Sequence, residues 1–390
     1  MDPDYALEFA NVGANIDRRW RQEAFHPDAF PIIAAEAAAS MAEVDLEGLL
    51  IQRYDRLDLS YRFSDFDLRI FENDRFRIEI LYWLGGSTSI HQHAFSGAFK
   101  LLSGRSVHVE YDFVTSCDAQ PELRIGNLYL RTSEILKPGS IRRIDGGSRF
   151  IHANFHIVRP SVTMVIRTHH DTVVEPQFDY HYPYIAVDPF FLKDLRTRQQ
   201  RLIELVARTG RWSLMDRAMD TVWPEPTLAE TFDILHLPAI ISDPVRLERT
   251  LGRAADRHPN FAQELAATTR EDLRRQKGLL LFRRVSGTDQ RFLVALLINL
   301  PNAELILQHL ATEFPNEAPA AATARLIAAV AAAGHLPAIS GAGVANLIAV
   351  MEGRRQPTEL PELRPLVGED VLLPLFSRTS QVRPYQAVAD

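Results

Sequence analysis

Hydrophobic and polar residues alternate strictly in the middle of the chain and recur at helical spacing on either side of it. In RFRIEIL, Phe76, Ile78 and Ile80 fall on one face and Arg75, Arg77 and Glu79 on the other. In SVHVEYDF, Val107, Val109, Tyr111 and Phe113 alternate with Ser106, His108, Glu110 and Asp112. A period of two is that of a half-buried strand. SVTMVIRT adds a β-branched run, and Gly-Gly at 85–86, Pro-Gly at 138–139 and Gly-Gly at 146–147 supply turns. Residues 56–195 are therefore expected to form a small antiparallel barrel or sandwich. Residues 1–55 are expected to be helical: PIIAAEAAASMAEVDLEGLLIQR is rich in Ala, Leu and Glu, and Asp45 can cap its second half. From 196 to 390 the helical period returns. Ile306, Leu310 and Phe314 stand four apart, and ATARLIAAVAAAG is an Ala-rich helix with a glycine at its end. The fold class expected is α+β, with helices before and after a β-barrel.

Composition narrows the partners. A net charge of −7 over 390 residues gives no basic surface for nucleic acid. No apolar run is long enough to span a bilayer, and no signal peptide is visible. The single cysteine, Cys117, fits a reducing, cytoplasmic setting and has no basic partner that would make it a nucleophile. Phosphate-loop, dinucleotide-fold and GxSxG signatures are absent from the sequence.

Of 13 histidines, eight lie between 91 and 181. His91 and His93, at i and i+2, share one face of a strand. Two adjacent imidazoles need partners for their nitrogens, and a divalent metal provides one directly. A second polar face lies in GGSRFIHANFHIVRP, where His152, Asn154 and His156 alternate with Ala153, Phe155 and Ile157. His108, beside Glu110 and Asp112, is expected to be solvated, as are His169 and His170 at a strand end. FDYHYPYIAVDPFF (178–191), with His181, is expected to be a packed return segment. His236, His258, His309 and His335 sit in helical context without a shared spacing.

The stretch from Gly85 through His91-Gln92-His93 to Gly104 resembles the first motif of the cupin superfamily, G-x5-HxH-x3/4-E-x6-G, with Gly97 in the glutamate position. Over residues 76–168 the chain is most like the cysteine dioxygenase (thiol dioxygenase) branch, in which that glutamate is lacking and three histidines hold iron. The resemblance implies a cupin-type β-barrel, or jelly roll, with His91 and His93 as ligands. It implies His152 as the third ligand, with His156 as the alternative. Fe(II) is the implied metal, nickel, manganese or zinc being the other choices. Small-molecule substrate, a thiol or amino-acid derivative, and O2 are the implied partners. The branch binds substrate carboxylate through an arginine ahead of the HxH strand, where Arg62 and Arg69 stand. Thr163 and Arg167 occupy the places of its serine and tyrosine, which points to a different substrate. Two functions follow as expectations: a mononuclear non-heme iron oxygenase, or a non-catalytic metal- or ligand-binding barrel that regulates or scaffolds the helical region. That region could equally form a lid or the interface of a homo-oligomer.

Overall fold

The computed structural model describes residues 4–41, 43–58, 64–169, 175–191, 194–209, 211–222, 224–356, 363, 366 and 370–377. The chain groups into two compact units, one of Met1–Tyr111, Leu130–Pro176 and Gly278–Asp390, the other of Asp112–Tyr129 and Gln177–Lys277.

In the first unit, α1 (Tyr5–Gln22), α2 (Phe30–Ser40) and α3 (Leu46–Gln52) precede the strands. The Ala-rich helical segment is broken at Met41, and Asp45 caps the second piece by accepting from Gly48 N at 3.1 Å. The strands are β1 (Phe66–Glu72), β2 (Phe76–Trp83), β3 (Ile90–His93), β4 (Gly97–Ser103), β5 (Ser106–Gln120), β6 (Leu123–Leu136), β7 (Ile141–Ile144), β8 (Gly147–His156) and β9 (Ser161–Thr168). One sheet is ordered β1-β2-β9-β4-β7. The other, with β10 (Asp179–His181) and β11 (Ile185–Val187), is a closed barrel in the order β10-β11-β6-β5-β8-β3. From β2 to β9 the chain changes sheet at every connection except the β5–β6 hairpin. Pairing β2 with β9, β4 with both β9 and β7, and β8 with both β5 and β3 is the double Greek key of a jelly roll. The architecture is thus α+β: a cupin-type β-barrel with N-terminal helices and a C-terminal helical region.

The strand alternation explains what each face covers. Phe76, Ile78 and Ile80, all fully buried, join Phe9, Ile16, Phe30 and Ala34 in a core between the first sheet and α1–α2. Each such side chain contributes about 1.5–3 kcal/mol of burial. The opposite face sends Leu81, Trp83, Phe99, Leu101 and Val165 into the barrel, where they meet Phe150 of β8.

Helices α4 (Asp194–Arg208), α5 (Trp212–Val222), α6 (Leu228–Leu235), α7 (Pro238–Ile241) and α8 (Pro244–Arg257) belong to the second unit, and α9 (Ala262–Arg284) begins there. Their core gathers Ile203, Met215, Phe232 and Leu247 with Leu123, Ile125 and Ile185. The first unit is completed by α10 (Thr288–Asn299), α11 (Ala303–Glu313), α12 (Pro319–Ala332) and α13 (Gly341–Met351). Ile306 and Leu310 are buried in α11, and Gly334, at φ +77°, turns the chain after α12. Arg291 of α10, 1% exposed, donates to the His156 and Ile157 carbonyls and lies over the Phe282 ring. Among the described residues no helix is long and apolar enough to cross a membrane.

Candidate metal centre

β3 and β8 pair antiparallel with His91 opposite His152. Alternation along β3 turns His93 to the same side as His91, so three imidazoles meet inside the barrel. Their ring centroids form a near-equilateral triangle: 4.6 Å for His91–His93, 4.8 Å for His91–His152 and 5.1 Å for His93–His152. One nitrogen of each lies within 4.8 Å of the others, and all three residues are buried.

Hydrogen bonds decide which nitrogens face the centre. His91 Nδ1 donates to the Ser89 carbonyl at 2.9 Å, leaving Nε2 as the lone-pair atom. His152 Nδ1 lies 3.1 Å from His108 Nε2, and His108 Nδ1 lies 3.1 Å from a Glu134 oxygen. The carboxylate only accepts, so His108 donates through Nδ1 and accepts from His152 Nδ1–H. That leaves a bare lone pair on His152 Nε2, 3.0 Å from His93 Nε2.

This short contact tests whether a metal fits. Two ligands about 2.1 Å from one ion stand about 3.0 Å apart at a right angle, and about 3.4 Å apart at a tetrahedral angle. The observed 3.0 Å is within reach of two ligands on one ion, and is equally that of an N–H···N hydrogen bond between the rings. Burial, reinforced by His91, holds His93 well below the ordinary histidine range. Burial and the neighbouring His91, His93 and His108 do the same for His152. Both rings are therefore neutral at pH 7, the form that ligates.

The outer ring is also built. For Glu134, burial acts to raise the carboxyl, but hydrogen bonds from His108 and Arg142 overcome it and bring it down to about 2. Such a carboxylate–imidazole–imidazole chain fixes tautomer and ring direction. Glu134→Gln should therefore weaken metal binding at the three histidines by about 10–100-fold, read by chelator competition. His108, Glu110 and Glu134 also cluster, but Arg142 pairs with Glu134 and Arg131 with Glu110 at 2.5 Å, so they serve as supports. Phe95, Phe150 and Phe99 line the site, 4.4 Å from His93, 4.5 Å from His152 and 5.9 Å from His152 respectively.

His108 corrects the sequence expectation. It is fully buried rather than solvated, because the even-numbered face of β5 turns into the barrel while Val107 and Val109 are buried on the other face. The signal available was only that this polar face continues the register of His152–His156. His156 takes another role: its ring stacks on Trp83 at 4.6 Å and its Nδ1 lies 2.8 Å from Ser106 Oγ. Arg69 is engaged by Asp58 at 2.7 Å and by Glu72 at 3.1 Å, while Arg62 lies outside the described residues, as do His170 and Asp171. Arg167 lies 4.4 Å over the Phe95 ring and donates to Glu79 at 2.9 Å. Thr163 accepts from Trp83 Nε1 at 2.9 Å. Gly97 admits no side chain: a Cβ there would sit 2.0 Å from the Ile166 carbonyl oxygen.

Three buried neutral histidines, His93, His152 and His156, carry a pH consequence. Their folded values lie below 6.5, that of His156 at about 3 through burial. The unfolded chain therefore takes up protons below pH 6.5 that the fold refuses. Between pH 6.5 and 5.5 each group should remove about 1 kcal/mol of stability from metal-free protein, and none above pH 7.5. Urea unfolding at both pH values measures this, and His156→Gln should cut the difference by about 1 kcal/mol.

No family model matches the sequence, and no curated protein does. Among solved structures the chain is similar to the DMSP lyase DddQ from Ruegeria pomeroyi DSS-3, at 16% identity over 45% of this chain and 96% of that one, with a TM-score of 0.25. It is similar to hydroquinone 1,2-dioxygenase from Sphingomonas sp. TTNP3, at 10% identity over 29% and 70%, with a TM-score of 0.22. It is also similar to Peruvianin-I, a cysteine peptidase from Thevetia peruviana latex, at 19% identity over 25% and 52%, with a TM-score of 0.18. Likeness at these TM-scores carries no argument; the fold rests on the strand order and the site on its distances.

Proposed function

We propose that the barrel is a mononuclear non-heme iron oxygenase acting on a small molecule, with His91, His93 and His152 holding Fe(II). The observation that carries this reading is the 3.0 Å separation of His93 Nε2 and His152 Nε2 within a triangle of buried imidazoles. When bound, the ion would supply a Lewis-acidic, redox-active centre with open positions for dioxygen and an anionic substrate atom. Glu134 and His108 keep the His152 lone pair aimed inward. Phe95, Phe99 and Phe150 exclude bulk water, which strengthens every charge interaction at the site. Arg167, stacked on Phe95, is placed better than Arg69 to orient a substrate carboxylate. Thiols and amino-acid derivatives are the first substrates to test, and the changed residues at Thr163 and Arg167 favour a substrate other than that of the thiol dioxygenases.

The burial of all three rings favours one competing reading, a metal-holding module without turnover that serves the helical region. Oxygen uptake by Fe(II)-reconstituted protein, tested across thiols, amino acids and their derivatives, separates the two. Substrate-dependent uptake that vanishes with His152→Ala is expected. Stoichiometric iron with no uptake would favour the module, and no iron after reconstitution would remove both readings.

A further inference from the structure

The second unit contains its own convergent group of donors. His181 lies on β10, His236 ends α6 and Asp272 lies within α9. One oxygen, Asp272 Oδ2, stands 2.8 Å from His181 Nδ1 and 2.8 Å from His236 Nε2. All three donor atoms fall within 4.8 Å of one another, with side-chain exposures of 27%, 16% and 11%. His236 Nδ1 lies 2.7 Å from the Phe232 carbonyl oxygen, which only accepts, so Nδ1 carries the proton. In the neutral ring Nε2 is then an acceptor, yet it faces a carboxylate, also an acceptor. A divalent ion beside these two acceptors would satisfy both.

A neighbouring orphaned oxygen supports a cation in this region. Asp233 stands one turn before His236 on the same helix. Its Oδ2 is buried without a hydrogen-bond partner. A buried oxygen left in this way costs about 1–3 kcal/mol, and a shared cation removes the cost. We propose that His181, His236 and Asp272 form a second, structural site for a zinc-class divalent ion, distinct from the three-histidine centre. Two imidazole nitrogens disfavour calcium and magnesium, which take oxygen ligands. The Asp272 carboxylate offsets part of the 2+ charge, and with the two imidazole nitrogens it gives three donors of the zinc type. The ion would tie β10, α6 and α9 together within the unit. Asp179 and Arg275 also act on His181, with opposite sign, so neither decides its charge alone.

The test uses full-length protein carrying His91→Ala and His93→Ala, stripped with chelator and titrated with Zn2+ alone. One equivalent of tightly bound zinc is expected, together with a higher unfolding temperature. Adding Asp272→Asn should weaken that binding by at least about a hundredfold, the order of loss seen on disturbing metal ligation. Because that variant can lose its fold for other reasons, a gain of signal is needed as well. His181→Cys in a Cys117→Ser background, loaded with Co2+, should show thiolate-to-cobalt absorption in the near ultraviolet. No zinc uptake by the His91→Ala/His93→Ala protein, uptake unchanged by Asp272→Asn, or no thiolate band would each overturn the proposal and leave Asp272 hydrogen-bonded to the two imidazoles alone.

Discussion

His93→Ala should abolish metal binding at the barrel histidines, tested with Fe(II), and leave the helical content intact. His93 supplies one of three nitrogens, and its Nε2 forms the 3.0 Å contact with His152 Nε2. Two imidazoles cannot hold three facial positions, so Fe(II) affinity should fall by well over the roughly hundredfold loss typical of an outer-ring change. The vacated volume sits among Phe95, Phe150 and His152 and should cost about 2–3 kcal/mol of stability. Both shifts are measurable: iron per chain by elemental analysis, helical content by far-ultraviolet circular dichroism. Stoichiometric iron retained in His93→Ala would show that the ion is bound elsewhere.

Gly97→Glu, which places a glutamate where the cupin motif that this stretch resembles has one, should damage the protein rather than add a ligand. A Cβ at this position would lie 2.0 Å from the Ile166 oxygen and 2.9 Å from the Arg167 Cα, both backbone atoms of the paired strand β9. No rotamer relieves a clash made by the Cβ itself. β4 and β9 would have to separate, at a cost of about 3 kcal/mol or more. Gly97→Ala should lose nearly as much, because the clash precedes the carboxylate. Urea unfolding of both variants tests this. A Gly97→Glu protein as stable as the parent, with tighter metal binding, would mean that the strand spacing here is wrong.

The parts of the molecule legible from residue order were those set by local periodicity. The alternation in Phe76–Ile80 marked a strand with one apolar face, and that face does pack on α1 and α2. The HxH pair on β3 marked two imidazoles on one side, because side-chain direction in a strand depends only on position. His108 was misread for the same reason: alternation sorts residues into two faces but does not say which one looks inward. Over Ser106–Val109 at the start of β5 both faces are buried, so polarity is no guide there. Glu134 gave no signal, since its importance lies in reaching His108 from the neighbouring strand.

Residue order by itself determined the α+β class, the antiparallel barrel between helical regions, and a pair of histidines pointing one way. Tertiary structure decided the rest: that His152 rather than His156 meets them, that His108 and Glu134 stand behind His152, and that His181, His236 and Asp272 converge. The physical reason is range. Backbone geometry couples residues a few positions apart, whereas donors separated by tens of residues meet only when strand register and helix docking place their elements side by side.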